Sequence, residues 1–147
     1  ATVIELLEGL NIQMPIAIMN GVGIYDLKNR KYLEIVDISK VAAQQTLEIF
    51  DQLGLEPMVY GIKDDQLSVF YRQINNPVST NFYEQRKDKT LKTFTSGDEF
   101  ESVVATHQIV NILVVDKLEL IEEAYRQVQK VEGINATYYP TREEGFG

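Results

Sequence analysis

The chain predicts an α+β fold, a mostly antiparallel sheet with helices on one face, and three features of its 147 residues lead there. A strand-helix-strand pattern occurs twice, 79 positions apart. Two short polar turns each separate a pair of strand-like runs, the mark of a hairpin. The resulting order is hairpin, helix, hairpin, helix, strand, helix, strand. Helices on one face of an antiparallel sheet satisfy it most simply.

The repeat rests on counting. In the first copy Glu34 to Asp37 is followed by an amphipathic stretch and then by Gly54 to Tyr60. In the second, Leu113 to Asp116 precedes an amphipathic stretch and Gly133 to Tyr139. The interval from Asp37 to Gly54 is 17 positions, and so is that from Asp116 to Gly133. An Asp ahead of a helix can cap its free amides, and a Gly just past the end can take the left-handed conformation that stops it. Two unrelated units of similar length would carry the same punctuation, and that alternative stays open.

Taken in order, Thr2 to Leu10 has helical spacing of its apolar residues and reads as the last turns of a helix. Pro15 to Met19 is a short buried strand, and Asn20 to Gly23 a turn or crossing. Ile24 to Leu27 and Lys31 to Val36 are strands around Lys28-Asn29-Arg30. A helix over Ser39 to Leu53 buries Ala42, Ala43, Leu47, Ile49, Phe50 and Leu53. Pro57 to Ile62 and Leu67 to Tyr71 make the second hairpin, around Lys63 to Gln66. A helix over Val78 to Lys87 follows Pro77, whose missing amide costs least in a first turn. Phe94 ends a short extended stretch and Gly97 to Val104 makes a helical turn. Ile109 to Val115 is apolar enough for a strand buried on both faces. Lys117 to Val131 carries Leu118, Ile121, Tyr125 and Val128 on one stripe. Ala136 to Tyr139 closes as a strand, and Thr141 to Gly147 is a polar tail.

With 44% hydrophobic residues the chain can build one core, and one domain is the natural count. No apolar run approaches the length of a membrane span, and no secretory signal is visible. The absence of cysteine excludes disulfides, thiolate metal sites and a cysteine nucleophile, and it fits a cytoplasmic location. A net charge of −8 argues against a general nucleic-acid surface, which needs a basic face to displace counterions. The charge is uneven. Between Tyr71 and Thr93, Arg72, Arg86, Lys87, Lys89 and Lys92 outnumber Glu84 and Asp88. Such a basic patch can meet a small anionic ligand, or it can be the solvated face of a helix.

No catalytic apparatus is visible. His107, the single histidine, has no cysteine or second histidine with which to share a metal. The carboxylates form no cluster of diagnostic spacing, and Asp64-Asp65 sits in a turn, where Asp is common. One histidine and no nucleophile elbow leave little scope for a triad. Gly21-Val22-Gly23 precedes a strand rather than a helix, so it is no phosphate cradle.

The run Ile16-Ala-Ile-Met-Asn-Gly-Val-Gly-Ile-Tyr-Asp26 resembles the strand-Asn-Gly-x-x-Ile-Tyr-Asp junction of Cof-type phosphatases of the haloacid dehalogenase-like superfamily. In that family the junction leads from a catalytic core into a large inserted cap of the second type. The hairpin, the duplicated unit and Gly133 to Tyr139 resemble that cap in order. The resemblance divides the chain into residual core helix, strand and hinge over 1–23, cap over 24–140, and return linker over 141–147. The family's Asp-x-Asp-Gly nucleophile motif has no counterpart here, since the chain contains no Asp-x-Asp. The resemblance therefore implies a fragment, Ala1 falling inside a core helix and Gly147 ahead of the later core motifs. A mature chain that begins at Ala1 is the alternative.

What the resemblance implies for function is hydrolysis of a phosphomonoester, with an aspartate nucleophile and Mg2+ both supplied by the missing core. The chain itself then holds no catalytic residue and no metal, and is inactive alone. Its partner is a small phosphorylated metabolite, with neither nucleic acid nor membrane. Asn20 and Gly21 lie at the hinge close to the active site. Arg72, Arg86 and Lys87 are candidates for binding a second anionic or polyol group of the substrate, and Tyr71 for stacking on it. The apolar faces of residues 2–19 would lose their core partners, which leads to an expected homodimer through that segment. A competing identity is a stand-alone regulatory domain that binds a small metabolite between two strand-helix-strand units.

Overall fold

The structure, a computed structural model, describes residues 4, 6–7, 9–89, 92–142 and 145–147. Seven strands and four helices are assigned among them. The first sheet holds β1 (Ile16–Ile18), β2 (Gly23–Asp26) and β3 (Lys31–Ile35), antiparallel in that order. The second has the order β6-β5-β4-β7, from β4 (Met58–Lys63), β5 (Gln66–Tyr71), β6 (Lys92–Ser96) and β7 (Gln108–Leu113). Only the β5–β6 pair in it is parallel. The helices are α1 (Lys40–Gln52), α2 (Pro77–Glu84), α3 (Phe100–Thr106) and α4 (Leu118–Val128).

Local chemistry explains the turns. Asp26 closes the first hairpin, its Oδ1 accepting the amides of Lys28 and Asn29 at 2.9 and 3.0 Å. In the second, Asp64 and Asp65 both take positive φ, 51° and 59°, which a two-residue turn matching the strand twist requires. Asp65 also accepts the backbone N–H of Tyr32 at 3.0 Å and so ties the second hairpin to the first sheet.

Alternation along β4 and β5 divides the second sheet into two faces. Val59, Phe70 and Ile109 point toward α1 and α3, where they meet Ala43, Leu47, Phe100, Val103 and Val104. Valines as deeply buried as Val59 and Val104 each contribute roughly 1.5 kcal/mol or more of hydrophobic stabilisation. On the same side α4 packs Ala124 and Val128 against Phe50 and Leu55. The opposite face presents Met58, Tyr60, Ile62, Leu67, Val69 and Val110. Phe82 and Tyr83 of α2 cover it, with Met19, Val22, Tyr32 and Ile35 from the first sheet and the segment around it. The expected α+β layering is present, with three helices on one face. The short α2 goes to the other face because its aromatic residues fill the gap beside β5 and β6.

The two strands of the first copy of the repeat, β3 and β4, lie in different sheets. Gly54 ends α1 with a φ of +67°, as its spacing predicts. Gly133, with a φ of +82°, does not end α4, which stops at Val128; it lies in the later turn that the Ile134 N–H closes on the Val131 carbonyl at 3.3 Å. Leu55 N–H reaches back to the Phe50 carbonyl at 2.9 Å, so the α1 end is a Schellman-type stop. The cap ahead of α1, expected at Asp37, is Ser39, whose hydroxyl accepts the Ala42 amide at 3.2 Å. The strand expected over Ala136 to Tyr139 does not form. That segment is held by side chains instead. Ile134 and Ala136 pack on the α4 cluster, and the Tyr138 ring meets Tyr125 at 5.0 Å. The backbone partner near α4 is the tail, where Gly147 N–H donates to the Asp116 carbonyl at 3.0 Å and Leu118 N–H to that of Gly145 at 2.8 Å. Of the expected first helix, Ile4 and Leu6 are helical, while residues 1–3, 5 and 8 lie outside the described residues.

Candidate substrate-binding surface

Between β1 and β2 the backbone makes a sharply turned crossing. Met19, Asn20 and Gly21 have φ of 51°, 56° and 90°, three successive left-handed residues of which only the glycine takes that conformation without steric cost. Asn20 lines a cleft of about 410 Å³ that Thr141 and Gly147 also line. Met19 and Val22, on either side of Asn20 and Gly21, pack into the sheet face that carries Tyr71.

That face ends in an aromatic triad. Tyr71 and Tyr83 have ring centroids 5.5 Å apart, Tyr83 and Phe94 5.2 Å, and Tyr71 and Phe94 6.5 Å. The side-chain hydrogen bond between the two tyrosines, with burial second, raises the Tyr71 phenol above its usual range. Deeper in the sheet, burial pushes Tyr60 up to about 12. Cations flank the rings. The Arg86 guanidinium lies 3.9 Å from the Phe82 ring centroid and donates to the Phe82 carbonyl at 3.2 Å. Lys87 Nζ sits 5.9 Å from Tyr83, and Lys92 Nζ 5.4 Å from Phe94. Lys87 also pairs with Glu84 at 2.6 Å, a bond that raises its pKa.

Of the six residues predicted from sequence, Tyr71, Arg86 and Lys87 are thus gathered around α2, and Asn20 and Gly21 lie at the crossing. Arg72 is elsewhere. It follows Tyr71 at the end of β5 and turns to the opposite face, where it bonds Asp51 and, at 3.2 Å, Glu56. Its guanidinium carbon lies 4.9 Å from the Phe100 ring centroid. Burial works to lower its pKa, but the bonds to Asp51 and Glu56 outweigh that and hold it above its ordinary value. Sequence reasoning missed Tyr83 and Phe94. Their aromatic character was visible, but no spacing rule connects residues 71, 83 and 94 before β6 pairs with β5.

The family profile of the haloacid dehalogenase-like hydrolases matches this sequence over residues 1–144. The chain belongs to that family. Among solved structures, a haloacid dehalogenase subclass IIB sugar phosphatase is similar to it, with a TM-score of 0.56 and 13% sequence identity. The match covers 86% of this chain and 44% of that phosphatase, so the chain spans less than half of its length. At that identity the likeness is one of fold. No curated protein matches the sequence.

Haloacid dehalogenase-like hydrolases generally use Mg2+, an ion that demands oxygen ligands. Among the described residues of this family member, no group of three or more His, Asp or Glu side chains is placed to hold a metal. These residues do not fit the ion. No helix among the described residues is long and apolar enough to cross a membrane.

Proposed function

We propose that this haloacid dehalogenase-like chain is the substrate-selecting cap of a Cof-type, Mg2+-dependent phosphomonoester hydrolase, working in the cytoplasm and inactive without its catalytic core. The observation that carries it is the shared cleft of Asn20, Thr141 and Gly147. An inserted domain must leave and re-enter its host at one place, and segments that line one cleft suit that reading.

The cap's task is to close over a substrate and select the group attached to its phosphate. Closure excludes water and strengthens the electrostatic interactions inside. The triad of Tyr71, Tyr83 and Phe94 offers a ring face to an apolar edge of that group, and the hydroxyls of the tyrosines can meet its polar atoms. Arg86 and Lys87 supply positive charge for a second anionic group. A small phosphorylated metabolite suits such a surface. Arg72, already paired with two carboxylates, holds α1 to the sheet instead.

The deciding experiment is to read the DNA flanking the codons for Ala1 and Gly147. In-frame Asp-x-Asp-Gly upstream, with Lys and an acidic pair downstream, supports the cap. The intact enzyme is then assayed with Mg2+ on a panel of phosphate esters, and wild type is compared with Arg86→Ala and Lys87→Ala. A start codon directly before Ala1 and a stop after Gly147 overturn the proposal in favour of a stand-alone metabolite-binding domain.

A further inference from the structure

Of the sheet edges in this chain, that of β6 is the least defended. Edge strands present unpaired backbone groups, and proteins blunt them with short length, charge, bulges or a covering segment. β1 has three residues, and β3 carries Lys31 and Glu34 and shifts register against β2. β7 is covered at Ile109, whose carbonyl accepts the Ile38 N–H at 2.7 Å. β6 pairs with β5 in one unbroken register, and among the described residues it has a strand neighbour on that side alone. Its one charged side chain, Lys92, is buried rather than standing at the edge.

The backbone groups on the open side can be named. Gly97 N–H donates to the Tyr71 carbonyl at 3.0 Å, toward β5. Orientation alternates along a strand, so Thr93 and Thr95 also face β5, while Phe94 and Ser96 aim N–H and C=O outward. Charge then selects the occupant. Ahead of β6, Arg86, Lys87 and Lys89 outnumber Asp88, and behind it stand Asp98, Glu99 and Glu101, all three exposed. A second copy laid antiparallel along β6 brings the basic flank of each chain beside the acidic flank of the other, whereas a parallel copy sets like charge against like. We infer that β6 is a self-association edge, pairing antiparallel with β6 of a second copy and joining the two four-stranded sheets into one. Such a contact has two-fold symmetry and closes, so association stops at the dimer. This edge is the one farthest from β7 and the Asn20 cleft, and the inference does not rest on the cap proposal.

Sedimentation velocity on the chain across a concentration series is expected to show a reversible monomer-dimer equilibrium that added salt weakens. Ser96→Pro, at an exposed position, removes an outward N–H that β5 does not use, the setting in which an edge strand tolerates proline. It should raise the dimer Kd by about tenfold or more while circular dichroism shows the chain still folded. Asp98→Lys and Lys89→Glu should each weaken the dimer by about tenfold, and the two together in one chain should restore it. A chain that stays monomeric at the highest concentration reached overturns the inference. So does a dimer that Ser96→Pro leaves intact, since it must use another surface such as residues 2–19, or a pair of reversals that fail to rescue each other. If Ser96→Pro does not fold, the paired reversals decide alone.

Discussion

Tyr71 and Arg72 are adjacent in sequence and serve opposite faces of one sheet. Tyr71 joins Tyr83 and Phe94 on the side of α2, while Arg72 crosses to Asp51 and Glu56 on the side of α1. Period-two alternation separates them, so one residue belongs to the candidate binding surface and the next to the scaffold.

Arg72→Ala should therefore act on stability. It leaves Asp51 and the half-buried Glu56 without their cation and uncovers the Phe100 ring. A loss of about 1–2 kcal/mol is expected, between the values for exposed and buried pairs. Urea denaturation measures it. Lys87→Ala, at an exposed position, should leave the midpoint unchanged. In the proposed enzyme the pattern reverses, with Lys87→Ala raising KM and Arg72→Ala leaving it unaltered.

Gly61→Ala tests the sheet where β4 shifts register against β7. A β-carbon there would stand 2.9 Å from the His107 Cβ and 3.2 Å from its Cγ. The His107 ring cannot retreat freely, being packed edge-on to Phe70 at 5.0 Å. A destabilisation of about 1–3 kcal/mol is expected, as for other overpacked sites. Gly97→Ala is the control, since nothing lies within 4 Å of its added methyl group. Paired thermal melts decide.

The buried tyrosines predict an alkaline limit. Burial raises both Tyr32 and Tyr60 from 10.0 to about 12 in the folded chain. A pKa raised by folding contributes stability that is complete below the unfolded value and is lost as pH climbs through the folded one. The window is therefore pH 10 to 12. For Tyr60 the contribution is on the order of 2–3 kcal/mol. Unfolding free energy measured across that window should fall, and Tyr60→Phe should flatten part of the slope.

Helix α1 offers a test of the core assignment on a single element. Ala43 is fully buried against the sheet, whereas Val41 is 63% exposed. Ala43→Leu should cost about 1–3 kcal/mol by overpacking. Val41→Ala should stay within about 0.5 kcal/mol, as surface changes do. Equal effects in denaturant titrations would contradict the face assignment.

Much of this architecture was legible in the chain because its causes are local. Asp64-Asp65 and Asp26 to Arg30 announce hairpins through turn chemistry that acts within four residues. Gly54 announces a helix end through a conformation that glycine adopts most cheaply. Apolar spacing in residues 40–52 and 118–128 marks the buried stripes of α1 and α4, and the Asn20-Gly21 junction carries the family resemblance. Long-range competition decided the remainder. Ala136 to Tyr139 has the composition of a strand, but residues 145–147 bond to 116–118 and the segment packs by its side chains. Arg72 looked available as a substrate cation until folding brought Asp51 and Glu56 to it. Tyr83 and Phe94 acquired a relation to Tyr71 only when α2 and β6 closed on β5. Most of the elements and their order follow from interactions that reach a few residues along the backbone. Which cations stay available and which rings meet was decided by the tertiary structure, because pairing and burial depend on neighbours that only packing brings together.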